Sequence, residues 1–206
     1  MSLLATPADF EPANENEGAN ALYYRPHDGS GYDHQAEYFN ARIAWLKSFA
    51  PPTNQKIAVW GCGWGTLVKL AVEAGYDAFG FDAADYAVTK GKGVHAPHAG
   101  RLFKRDALLS GDTTGSKRDA GLKGQAKFAV VVTEDLLTCM GDNEILTTLP
   151  LLRSIATTCA HMITPEDPWA SENGLNDFRI NWKPPADWKA MLAPDVVFDA
   201  VARSVI

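Results

Sequence analysis

A strand-forming run, Lys56-Ile57-Ala58-Val59-Trp60, passes directly into Gly61-Cys62-Gly63-Trp64-Gly65, and Leu67, Leu70, Ala71 and Ala74 then recur at helical spacing until Gly75. Short apolar runs read as strands, clustered glycines let the backbone turn sharply, and the 3.6-residue period marks one face of a helix. Strand, tight turn, helix is the opening of a βαβ unit, so the chain is constrained to an α/β architecture. The following segment agrees. Ala78-Phe79-Gly80-Phe81 is a second short strand that ends in Asp82, 17 residues after Gly65.

The flanking elements fit the same plan. Phe39, Ile43, Leu46 and Ala50 fall at i, i+4, i+7 and i+11, a helical face stopped by Pro51 and Pro52. Residues 101–104 form a weaker third strand. Residues 128–133 are the strongest strand, apolar enough for the centre of a parallel sheet covered on both faces. Leu149, Leu152 and Ile155 mark a helix with Asp142 as its N-cap and Pro150 as a kink or a fresh first-turn residue. A fifth strand is expected at residues 161–164, a helix at 185–192, and one or two final strands at 196–206. Strands alternating with helices over about 150 residues mean a mainly parallel sheet.

Residues 1–35 read differently, with Pro7, Pro12 and Pro26, several Gly and Asn, and no sustained period. Tyr23, Tyr24 and Tyr32 make this irregular arm too aromatic for a plain tail, so it is either a strap on the domain surface or a lid. The division is an arm over 1–35 and one domain over 36–206.

Glycines at a strand-to-helix turn bring backbone close to a ligand, and a carboxylate at the tip of the neighbouring strand can accept hydrogen bonds from both hydroxyls of a ribose. Together they describe an adenosine site. A dinucleotide turn has the spacing G-x-G-x-x-G. Here Gly61, Gly63 and Gly65 give G-x-G-x-G, and Thr66 stands where the third dinucleotide glycine belongs.

This turn resembles the first motif of the class I S-adenosylmethionine-dependent methyltransferases. Gly80-Phe81-Asp82 is similar to that family's second-strand acidic motif, Arg105-Asp106-Ala107 to its adenine-side motif, and residues 128–137 to its fourth strand and following loop. The resemblance spans residues 36–206 in the family's order. It implies a Rossmann-like three-layer sandwich, with a mainly parallel seven-stranded sheet and helices on both faces. It also implies S-adenosylmethionine as cofactor: Gly61, Cys62 and Gly63 on its methionine part, Asp82 on the ribose, Asp106 and Ala107 on the adenine, and Glu134 at the mouth. Asp82 read without the family is a turn carboxylate or helix N-cap, and Asp106 a helix cap. The family usually carries an acidic residue two positions before the first glycine, where this chain has Val59. Trp60 and Trp64 are bulky for such a turn and either pack against it or touch the cofactor.

Methyl transfer from a sulfonium is an in-line displacement in which orientation alone is worth up to ~7–11 kcal/mol. It needs a base only when the acceptor must lose a proton. Glu134, Asp135, His161 and His34 are the candidate proton acceptors, with a satisfied structural histidine as the other reading of His161. The Asn/Asp-Pro-Pro-aromatic box of amino-methylating DNA enzymes and the Pro-Cys nucleophile of cytosine C5 enzymes are both absent from the sequence. Asn181-Trp182-Lys183-Pro184-Pro185 is only superficially similar to the former and lies too late in the chain. Glu134-Asp135 is thin support for a catechol-type metal site, and no metal is expected. A small-molecule N or O acceptor remains. Val59 and the crowding Trp60 motivate a different class of reading, a non-catalytic adaptor or structural subunit that keeps the fold.

The 206 residues carry a net charge of −6, but residues 90–127 hold nine basic and three acidic side chains, a local +6 that leaves −12 elsewhere. That segment is either a solvated face or a platform for a phosphate-bearing or polynucleotide partner. Cys62, Cys139 and Cys159 show neither CxxC nor zinc-ligand spacing. No apolar stretch approaches the ~20 residues of a membrane span, and the expected location is cytoplasmic.

Overall fold

Helix α1 (Ala36–Phe49) opens the computed structural model, which describes residues 36–82, 85–104, 128–134, 136–163, 181 and 183–199. Phe39, Ile43 and Leu46 lie on its buried face. The strand-forming run is β1 (Lys56–Trp60), and the helix after the glycines is α2 (Thr66–Glu73). Then follow β2 (Asp77–Asp82), α3 (Asp85–Val94), a 3₁₀ turn (Ala96–Arg101), β3 (Leu102–Lys104) and β4 (Phe128–Glu134). A second 3₁₀ turn (Leu137–Cys139) leads to α4 (Asp142–Ile155), β5 (Ala156–Ile163), α5 (Pro185–Leu192) and β6 (Val196–Asp199).

The six described strands form one parallel sheet in the order β3-β2-β1-β4-β5-β6. Val59 pairs with Gly80 on one side and Val132 on the other, so β1 is central. Its side chains alternate between two cores. Ile57 and Val59 pack with Leu46, Leu67, Val68 and Val88 from α1, α2 and α3. Ala58 and Trp60 face the opposite side with Phe81, Phe103 and Phe128, and with Leu152 of α4. A third cluster joins Ile145 and Leu149 of α4 to Trp188 and Leu192 of α5. Helices therefore cover both faces, and each fully buried Leu, Ile, Val or Phe side chain contributes about 1.5–3 kcal/mol.

Three elements differ from the sequence reading. Helix α3 has no counterpart in the sequence pattern, because Gly91, Gly93 and the β-branched Val88 and Thr89 weaken its helical signal. Strand β5 starts at Ala156, directly after α4, five residues earlier than expected. Its first half, Thr157 and Thr158 included, is partly exposed and lacks a continuous apolar run. Gly141, not Asp142, is the N-cap of α4, and its N–H donates to the Glu144 carboxylate at 2.8 Å. The expected seventh strand and the arm over 1–35 lie outside the described residues. No helix among those residues is long and apolar enough to cross a membrane.

Candidate functional site

Order reversal in the sheet falls between β1 and β4, and open α/β sheets bind ligands in the crevice outside the carboxyl ends of the strands at such a point. Residues 61–65 leave β1 there. Gly61 and Gly65 have φ of 78° and 87°, a left-handed backbone that strains any residue with a Cβ. A side chain at Gly61 would also stand 3.0 Å from Leu136 Cβ. The turn is pinned to β2: the N–H groups of Gly61 and Cys62 donate to the Phe81 carbonyl at 2.8 and 3.2 Å. The Gly63 N–H donates to Asp82 Oδ2 at 2.8 Å. Asp82, 8% exposed, therefore has one carboxylate oxygen engaged as a turn carboxylate at the tip of β2.

Cys62 is enclosed in this turn. Burial pushes its thiol well above the usual range, and the negative charges of Asp82 and Glu134 push it the same way. Two carboxylates thus converge electrostatically on the turn, one from the end of β2 and one from the end of β4. Glu134 is buried. This brings together Gly61, Cys62, Gly63, Asp82 and Glu134. Asp106, Ala107, Asp135 and His34 lie outside the described residues, as does most of the basic stretch over 90–127.

His161 is held elsewhere. It is fully buried on β5, with Nδ1 2.9 Å from the Thr133 hydroxyl and Nε2 3.1 Å from Asp195 Oδ2. A carboxylate can only accept, so Nε2 carries a proton, and in the neutral ring the Thr133 hydroxyl donates to Nδ1. Arg153 grips the same carboxylate through Nε and Nη2 at 2.9–3.1 Å. Both ring nitrogens are engaged, which is the geometry of a satisfied structural histidine.

Other contacts around the crevice carry weak or no sequence signals. Trp60 and Trp64 are both buried, and Lys90 Nζ lies 5.8 Å over the Trp64 ring. Asn181, set aside in the sequence as part of a misplaced motif, is buried against the loop after β4. Its backbone N–H donates to the Thr138 carbonyl at 2.9 Å, and its side-chain amide to Met140 O and Asp142 Oδ1 at 3.0 and 2.7 Å. Lys183 bonds the same Asp142, and these two hydrogen bonds hold that carboxyl below the usual range. A single asparagine far along the chain gives no sequence sign of such a staple.

No family model matches the sequence, and no curated protein matches it. The backbone, however, superposes on solved structures. With magnesium protoporphyrin IX methyltransferase from Synechocystis PCC 6803, crystallised with bound SAM, the TM-score is 0.60 at 18% identity, covering 93% of this chain and 86% of that one. A SAM dependent methyltransferase from Archaeoglobus fulgidus gives 0.51 at 18% identity, over 75% and 66% of the two chains. The YcgJ protein from Bacillus subtilis gives 0.51 at 15% identity, over 74% and 66%. The chain has the class I methyltransferase fold. In this fold the glycine turn, Asp82 and Glu134 lie at the carboxyl ends of the strands beside the order reversal, and His161 is buried on β5.

Proposed function

We propose that this chain is an S-adenosylmethionine-dependent methyltransferase acting on a small-molecule N or O acceptor. The observation that carries the reading is the left-handed glycine turn hydrogen-bonded to Asp82 at the switch point. The residues suit this cofactor: a turn without side chains gives close backbone approach, and a strand-tip carboxylate is an acceptor for a ribose diol. Gly61, Cys62 and Gly63 would hold the methionine part, Asp82 the ribose, Asp106 and Ala107 the adenine, with Glu134 at the mouth. When bound, the cofactor supplies an electrophilic methyl group on a sulfonium.

The chain's own work is to bind, orient and exclude water, which suffices for an acceptor that needs no deprotonation. Glu134, Asp135 and His34 remain the proposed proton acceptors for one that does. His161, enclosed by Thr133 and Asp195, serves structure in this reading. The resemblance to a porphyrin methyltransferase supports a small-molecule acceptor.

A second reading, a non-catalytic subunit that keeps the fold, is favoured by Val59. Its side chain is 1% exposed in the core, so the strand position where the family usually has an acid offers none here. Calorimetry with S-adenosylmethionine and its demethylated product S-adenosylhomocysteine separates the two. Binding by the wild type, reduced about tenfold or more in Asp82→Asn, supports the enzyme. A folded wild type that binds neither compound leaves the structural subunit.

A further inference from the structure

Helix α3 is fastened to the glycine turn as well as to the sheet. A Cβ placed on Gly91 would stand 2.2 Å from the Trp64 carbonyl oxygen. That oxygen is backbone of the turn, so no side-chain rotation relieves the overlap. One position earlier, Lys90 lies over the Trp64 ring. Past the end of the helix, His95 Nε2 is 3.3 Å from the hydroxyl of Thr66, the first residue of α2.

Beneath these contacts the Leu102 side chain, 1% exposed, fills a socket left by three glycines. A Cβ at Gly65, Gly80 or Gly91 would come within 2.5, 2.9 or 3.0 Å of its methyl carbons. Cys62 Sγ closes the same socket, 2.8 Å from the Cβ position of Gly80. Gly93 is the contrast: on the same helix, nothing lies within 4 Å of its Cβ position.

We propose that Gly91 is a positioning residue. Seated through it on the Trp64 carbonyl and keyed by Leu102, α3 holds the glycine turn in the left-handed form that meets the ligand. The identity of that ligand rests on the cofactor reading above; the geometry does not.

The test compares full-length wild type, Gly91→Ala and Gly93→Ala by two readouts. One is affinity for S-adenosylhomocysteine. The other is the rate at which iodoacetamide labels Cys62, with Cys159, buried on the opposite face of the sheet, as the control for global opening. Gly91→Ala is expected to weaken binding about tenfold and to speed labelling of Cys62 alone, while Gly93→Ala matches the wild type in both. A wild-type labelling rate at Cys62, equal acceleration at Cys62 and Cys159, or unchanged affinity overturns the proposal. If the wild type binds no S-adenosylhomocysteine, the cofactor reading fails and the Cys62 to Cys159 labelling ratio alone decides the role of Gly91. Should Gly91→Ala not fold, His95→Ala takes its place, with His95→Gln returning a hydrogen-bonding side chain opposite the Thr66 hydroxyl. Selective labelling of Cys62 in the first and recovery in the second support the proposal; equal rates in both and in the wild type overturn it.

Discussion

Cys62 occupies the middle of the glycine turn, where a thiol would be an obvious nucleophile if it could ionise. Burial and the charges of Asp82 and Glu134 keep it protonated. Cys159 is raised to about 11, first by burial and then by the charge of Asp195. Cys139 is only half-buried. Native protein at pH 8 is therefore expected to be alkylated first at Cys139, and mass spectrometry after urea treatment should show all three sites labelled. The residue types of this site were legible in the sequence, since Gly61, Gly63, Gly65 and Asp82 stand at fixed spacings. What spacing could not convey is that one Asp82 oxygen is already committed to the Gly63 N–H.

Between elements, the informative device is the Thr133–His161–Asp195–Arg153 network, which ties β4, β5, α4 and the entry to β6. Arg153 also donates to the carbonyls of Leu192 and Ala193 at 3.2 Å, closing the end of α5. Burial raises the Asp195 carboxyl, but the hydrogen bonds from His161 and Arg153 outweigh it and hold the group below the usual range. A carboxyl depressed in the folded state stabilises the fold above its unfolded pKa of about 3.9 and loses that contribution as pH falls through the folded value. Asp195→Asn should cost about 1–3 kcal/mol at pH 7, with the gap to wild type narrowing below about pH 4. Urea titrations across that range measure both. Sequence reading found β1, α5 and the body of β4 because their local patterns agree with their tertiary roles. Helix α3 is not legible in this way, because its glycines weaken the local pattern and the close approach of Gly91 to Trp64 joins residues distant in sequence.

At the level of the whole molecule, the sheet separates the core packed against α1, α2 and α3 from the core on its other face, and among the described residues no side chain belongs to both. Leu67 belongs to one and Leu152 to the other, and both are fully buried. Truncating either to alanine should cost about 2–5 kcal/mol, and the double variant should lose the sum within about 0.5 kcal/mol in urea denaturation. A large departure from additivity would mean that the sheet transmits strain between its faces. Strand order has a different consequence. Strands β1 to β3 are neighbours in both sequence and space, and so are β4 to β6, so among the described strands one ladder, β1 against β4, joins the halves. A break in the chain between residues 104 and 128 would divide the described strands, β1 to β3 on one piece and β4 to β6 on the other. Neither piece would own the crevice: the glycines and Asp82 would go with one and Glu134 with the other. Ligand capture by a mixture of the two fragments would then report their reunion.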